Sequence, residues 1–158
     1  MVAPEHEVKA TWLLNLTLFV EWPSKAFHDA KSPFVVGVLG KDLTGMDLEK
    51  TFAGRSIKGR TVAIRKVSNE REMRECHLLF ITSSERRRTR DWLDKLKGAP
   101  VLTVGETEEF LDYGGIVNLL LNDNSLQLEI DLNAAQKAGL RLNANLLKIA
   151  KKVRGKYE

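Results

Sequence analysis

One cysteine, Cys76, stands among 158 residues. A lone thiol excludes an intramolecular disulfide and leaves no cysteine ligand set for zinc within one chain. It leaves the redox compartment open, since exported chains often have no cysteine and cytosolic chains often have one. Histidine is nearly as scarce: His6, His28 and His77 lie far apart, and no His-Glu-x-x-His, His-x-x-Glu-His or paired-cysteine spacing occurs. There is no Gly-x-Ser-x-Gly elbow. Long hydrophobic runs are missing too. The most apolar stretch, Trp12 to Val20, is interrupted by Asn15 and Thr17, too short to span a membrane. It starts too late for a signal peptide and lacks the basic flank and small-residue cleavage site. Charge of one sign is also lacking. The formal net charge is +4 and the pI about 9.2, short of the field of a dedicated nucleic-acid binder.

What is present is an ordinary globular balance, 43% hydrophobic and 29% charged, at a length that suits one domain over residues 1–158 with a real core. The chain is organised around Cys76-His77-Leu78-Leu79-Phe80-Ile81-Thr82-Ser83-Ser84-Glu85. Leu78 to Ile81 is apolar without alternation, which predicts a strand covered on both faces. It runs into hydroxyls that can cap a helix over Glu85 to Lys97, where Trp92, Leu93 and Leu96 share a face. A buried strand feeding a helix is the unit of an open α/β sheet, whose ligands sit beyond the carboxyl ends of the strands. Ser83 and Ser84 are therefore either plain helix caps or part of a site.

The flanking segments extend this pattern. Glu5 to Glu21 reads as a helix with Val8, Trp12, Leu16 and Phe19 on one face, and Ala10, Leu13, Leu14 and Val20 widening the apolar surface. Such a helix is core or meets a partner. Pro23 ends it at Trp22. Phe34 to Leu39 is an inner strand, followed by the turn Gly40-Lys41-Asp42 and a helix from about Leu43 to Phe52. Gly37 to Asp42 fails as a phosphate loop, being too short and without the Ser or Thr. Thr61 to Val67 is a strand near an edge, and Ser68 to Glu75 has room for a turn or two of helix. Arg86, Arg87, Arg88 and Arg90 form a solvated face with no aromatic interleaving.

Val101 to Val104 is a short inner strand, and Thr107 is a cap candidate with Glu108 and Glu109 behind it. Ile116 to Leu121 and the alternating Leu126 to Leu132 form an antiparallel hairpin about Asn122-Asp123-Asn124-Ser125. Asn133 resembles the start of a capping box, Gly139 a left-handed stop, and Asn143 the cap of a last helix burying Leu146, Leu147, Ala150 and Val153. Lys148, Lys151, Lys152, Arg154 and Lys156 make its tail basic, which suits a helix C-terminus. The predicted fold is α/β in three layers. It has a mostly parallel mixed sheet of five or six strands, an antiparallel hairpin on the C-terminal side, and helices on both faces.

Parallel strands at Phe34–Leu39, Leu78–Ile81 and Val101–Val104 bring three turns together. The ligand-binding candidates are Lys41, Ser83, Ser84, Glu85, Gly105, Glu106 and Thr107, around a crevice for a small anionic or polar ligand. A response-regulator receiver is excluded, because the third strand ends in Thr82-Ser83-Ser84 and not in aspartate. His77 reads as a hydrogen-bonded core or edge histidine, and Cys76 as a buried thiol with no base at a useful spacing. No catalytic residue, metal or cofactor is assigned.

An ordered set of segments carries a resemblance. Phe19-Val20-Glu21-Trp22-Pro23, Gly37-Val38-Leu39-Gly40, Cys76 to Glu85, Val101-Leu102-Thr103-Val104-Gly105, Gly114 to Leu119, Asn133 to Leu142 and Leu146 to Ala150 together resemble the YfiR-like family of exported bacterial proteins. The resemblance covers nearly the whole chain. It implies a mature periplasmic protein that has lost its signal peptide, an α/β domain that forms homodimers, and a regulatory role without catalysis. The best-known member type binds the periplasmic sensor portion of a membrane diguanylate cyclase and holds the enzyme inactive, lowering cyclic-di-GMP and biofilm formation. Other members accompany membrane sensor kinases. Members often carry several disulfide-forming cysteines, and this chain does not. Trp12, Leu16, Phe19, Glu21 and Trp22 are the candidates for partner or dimer contact. A small serine-dependent hydrolase or transferase using Ser83 or Ser84 is the alternative from another class, and a cytosolic basic adaptor a third.

Overall fold

The computed structural model of the protein describes residues 4–41, 44–122 and 125–155, with side chains throughout except at 44–46 and 122. Asp42, Leu43, Asp123, Asn124 and Lys156 lie outside the described residues. The chain begins with α1 (Glu5–Phe19), whose first turn carries Glu5 and Glu7 where the helix dipole favours acids. The helix ends before the predicted Glu21. Val20–Glu21 forms β1 and pairs antiparallel with β9 (Arg141–Leu142), Val20 opposite Leu142. The amide of Asn143 reaches the Phe19 carbonyl at 2.8 Å. This long-range pairing overrides helical periodicity.

The main sheet begins with β2 (Phe34–Leu39), continues through α2 (Thr44–Phe52), β3 (Ser56–Ile57), β4 (Arg60–Val67) and α3 (Glu70–Arg74) to β5 (Leu78–Ile81). After β5 a 3-10 segment, Ser83–Arg88, leads into α4 (Thr89–Lys95) and then β6 (Leu102–Gly105). The chain ends through β7 (Val117–Asn122), β8 (Ser125–Asp131), α5 (Leu132–Lys137), β9, α6 (Ala144–Ile149) and β10 (Lys152–Arg154). Strand order is β10-β8-β7-β6-β5-β2-β4-β3 in one eight-stranded sheet, with β1-β9 as a separate ribbon. Strands β4, β2, β5, β6 and β7 run parallel to one another, β3 is antiparallel to β4, and β7–β8 is the antiparallel hairpin. The α/β class is as predicted. The strand count is higher, because short β3, β1, β9 and β10 are made by pairing and not by apolar runs of their own. The hairpin is not the edge: β10 adds to β8 in parallel register, Val153 opposite Ile130.

Each face of the sheet has its own core. Phe34, Val36, Leu78, Phe80, Leu102 and Val104 point to α1, α2, α5 and α6, where Leu13, Leu16, Leu48, Ala135 and Leu146 meet them. Val35, Leu79 and Ile81 point the other way, to Met73, Trp92, Leu93 and Phe110. Burying one such Leu or Phe contributes about 1.5–3 kcal/mol.

Local expectations fail where tertiary contacts supply better partners. The last helix stops at Ile149, and Val153, 39% exposed, lies in β10 instead of packing inward. Asp131, not Asn133, caps α5, accepting from the Ala134 amide at 3.1 Å. Asn143 does cap α6, and Gly139 does end its segment at positive φ of 78°. Thr107 opens no helix; residues 107–114 form successive turns. Phe110 dictates this. A Cβ on Gly105 would lie 2.2 Å from its ring, and one on Gly115 2.1 Å, so two glycines close on one buried aromatic.

Candidate functional site

Strand β2 leads to β4 on one side and β5 on the other, so the order 4-2-5 puts the topological switch point between β2 and β5. Open α/β sheets hold ligands at that point, beyond the carboxyl ends. Here the turns interlock. Gly40 turns at φ 109°, and a Cβ there would sit 2.1 Å from Thr82 Oγ1 and 2.7 Å from Ser84 Oγ. The Lys41 amide donates to Ser84 Oγ at 2.8 Å, and Ser84 Oγ also bonds Thr82 Oγ1 at 2.8 Å. The Ser83 amide donates to Glu106 Oε2 at 2.7 Å. The other oxygen of Glu106 takes the Lys9 ammonium, which also pairs with Glu5 at 3.2 Å.

The structure thus brings Lys41, Ser83, Ser84 and Glu106 together and sends the other candidates elsewhere. Glu85 turns to α4, accepting from Trp92 Nε1 at 2.9 Å. Gly105 backs onto Phe110, and Thr107 is buried, its carbonyl accepting from Asn118 Nδ2 at 2.7 Å. Lys9 completes the cluster from α1. Burial alone would pull its pKa down, but the Glu106 and Glu5 carboxylates outweigh that and hold it above the ordinary lysine value. The sequence signal was a lysine between Val8 and Ala10 on an apolar helix. Chemically the cluster satisfies itself: a carboxylate of the chain occupies the Ser83 amide where an outside anion would bind. No hydrogen bond joins either serine hydroxyl to a histidine among the described residues, so a serine nucleophile has no base there. No group of His, Cys, Asp and Glu among the described residues has metal-binding geometry.

At the opposite end of the sheet His77 is a structural histidine, 6% exposed. Its Nδ1 accepts from the Val35 amide at 2.9 Å, which leaves Nε2–H to donate to the Ala26 carbonyl at 2.8 Å. The ring stacks on Phe27 at 4.3 Å, and Arg60 covers the other face of Phe27 at 3.8 Å. Burial pushes the His77 pKa down; the Ala26 bond opposes this, and Arg60, Arg65 and His28 add to it. Cys76 beside it is buried, its thiol pushed up to about 12 chiefly by desolvation, with Arg65 opposing. Such a thiol is inert.

On α1 the buried side is formed by Lys9, Ala10, Leu13, Leu14, Leu16 and Thr17. The predicted stripe lies on its flank. Leu16 is wholly inside the protomer, whereas Trp12 and Phe19 are half-buried. Trp22 is half-buried and tied down, its Nε1 donating to the His77 carbonyl at 2.9 Å and its ring meeting Phe34 edge-on at 4.9 Å. Glu21 is exposed opposite Arg141. Sequence reasoning missed Leu18, which is 65% exposed. Its signal was position: it shares the outer helical face with Glu7 and Thr11. The arginine run is solvated as expected, with Arg88 over the Trp92 ring and Arg90 over Tyr113.

A family model described as YfiR/HmsC-like matches residues 6–151. Comparison with curated proteins returns no match. Among solved structures the chain is similar to a conserved domain protein from Vibrio cholerae O1 biovar eltor str. N16961, with a TM-score of 0.63 and 10% identity, over 97% of this chain and 61% of that one. It is also similar to the ABC domain from Streptococcus pneumonia in complex with L-Trp, with a TM-score of 0.55 and 12% identity, over 76% of this chain and 55% of that one. The chain thus spans less than two thirds of either structure, and at these identities the likeness is one of fold.

Proposed function

Because the chain belongs to the YfiR/HmsC-like family, we propose that it is a periplasmic regulatory binding protein that restrains a membrane signalling protein such as a diguanylate cyclase. The observation that carries this reading is the family match over residues 6–151, nearly the full chain. The self-satisfied strand ends support a role without catalysis, since they offer no activated nucleophile. The absence of any helix long and apolar enough to cross a membrane, among the described residues, fits a chain that meets its partner outside the bilayer.

The contact surface in this reading is the outer flank of α1 and the turn after it. Leu18, 65% exposed, stands beside half-buried Phe19, with Trp12 further along the helix. The face that carries Leu18 adjoins the flank that carries Trp12 and Phe19, and aromatic side chains are enriched at interface centres. The partner is the periplasmic sensor portion of an inner-membrane protein, and a second copy of the chain uses the same flank to form a homodimer. The test is genetic. Deleting the gene raises cellular cyclic-di-GMP, and wild type restores it. Leu18→Glu fails to restore it although it folds, whereas Leu121→Glu, at another exposed leucine, succeeds. Unchanged cyclic-di-GMP on deletion overturns the cyclase reading.

A further inference from the structure

We propose that a cavity under the start of β6, at the end of the sheet opposite the switch point, binds a small organic monocarboxylate with an apolar body. The cavity measures about 560 Å³. Native interiors are close-packed, and voids of this size are the size of ligand pockets. Its origin is topological. A parallel crossover normally carries a helix. The one from β6 to β7, residues 106–116, makes only turns, gathered on Phe110. The space a helix would fill is left between the end of α4 and α5.

The lining sets the ligand class. Leu96, Val101, Ile116 and Ala134 give an apolar floor, and the rim carries Lys97 and Lys137. Lys137 has no ion-pair partner among the described residues, and Lys97 has only exposed Asp94 at 3.6 Å. The rim acids are already engaged. Asp112 pairs with Arg154 at 2.8 Å, and Asp131 caps α5 at the Ala134 amide, 3.1 Å away. Lys137 without an ion-pair partner and Lys97 held only by an exposed aspartate, over an apolar floor, attract an amphipathic anion. Two carboxylates nearby disfavour a doubly charged phosphate, and lysines present point charges without the arginine fork that selects phosphate. This site is separate from the α1 surface, and its test reads binding alone.

The probe is 2-naphthoate, followed by fluorescence titration and by amide shifts of the full chain, with 2-naphthylmethylamine as the cationic counterpart. Wild type binds naphthoate saturably at one site, with shifts at Gly98 and Gly114. Lys137→Glu, an exposed change, weakens binding at least tenfold, and Ala134→Trp, which fills the floor, abolishes it. The amine binds at least tenfold more weakly than naphthoate. No saturable binding, wild-type affinity in folded Lys137→Glu, or equal affinity for the amine overturns the proposal.

Discussion

The two ends of the sheet are built on opposite terms. At the carboxyl ends of the strands, turn hydroxyls, amides, Glu106 and Lys9 bond one another, and the switch point is shut by the chain's own carboxylate. At the amino ends, a crossover without a helix leaves about 560 Å³ open and a lysine unpaired at its rim. Turn-rich strand ends are where sequence motifs draw attention, yet a motif's polar groups can be consumed by one another. The open site lies where the chain omits an element, and an omission leaves no motif.

This contrast can be broken most forcefully at Phe110. Phe110→Ala removes the ring that organises the crossover and costs about 3–5 kcal/mol, read as a lower urea midpoint. At the closed end, Glu106→Ala leaves the Lys9 ammonium, whose side chain is only 11% exposed, with the half-exposed Glu5 carboxylate alone. Breaking such a pair costs about 3 kcal/mol, and adding Lys9→Met recovers most of it. Recovery absent from the double variant would mean that the two residues are not coupled.

A smaller effect separates the ends by pH. The folded state holds His77 neutral with a lowered pKa, so the unfolded chain takes up the proton first. Stability is complete above about pH 6.5 and falls as pH drops through that value toward the folded pKa. Thermal melts from pH 7.5 to 5 show the decline, and His77→Asn, keeping an acceptor for the Val35 amide, flattens it. A wild-type melting temperature constant over this range would contradict the assignment. Smallest is Ser84→Ala, about 1 kcal/mol by the same melts, because it removes one hydroxyl, with its bonds to the Lys41 amide and Thr82 Oγ1, from an exposed turn where water can replace it.

The inner strands were legible because β2, β5 and β6 are buried on both faces, β2 and β5 reading as unbroken apolar runs and β6 as an apolar run broken only by Thr103. The β7–β8 pairing was legible from alternation on β8. What escaped was non-local. Val20–Glu21 becomes a strand only because Arg141–Leu142 lies alongside, and Lys152–Arg154 only because β8 has a free edge. The expected helix after Thr107 yields to a ring wedged between two glycines. The convergence of Lys41, Ser84 and Glu106 followed from parallel strand ends, whereas Lys9 arrives from a helix 97 residues away. On α1 the helix was legible but its outer face was not, since apolar residues on all sides leave periodicity little to report.

The most direct measurement of the central claim, that this chain acts by presenting the outer flank of α1 to a membrane signalling protein, is photo-crosslinking in intact cells. A photoreactive residue at position 18 is compared with one at position 121. The account predicts adducts from position 18 with an inner-membrane protein carrying a cyclase or kinase domain, and none from position 121. No such adduct from position 18, or equal labelling from both positions, would contradict it.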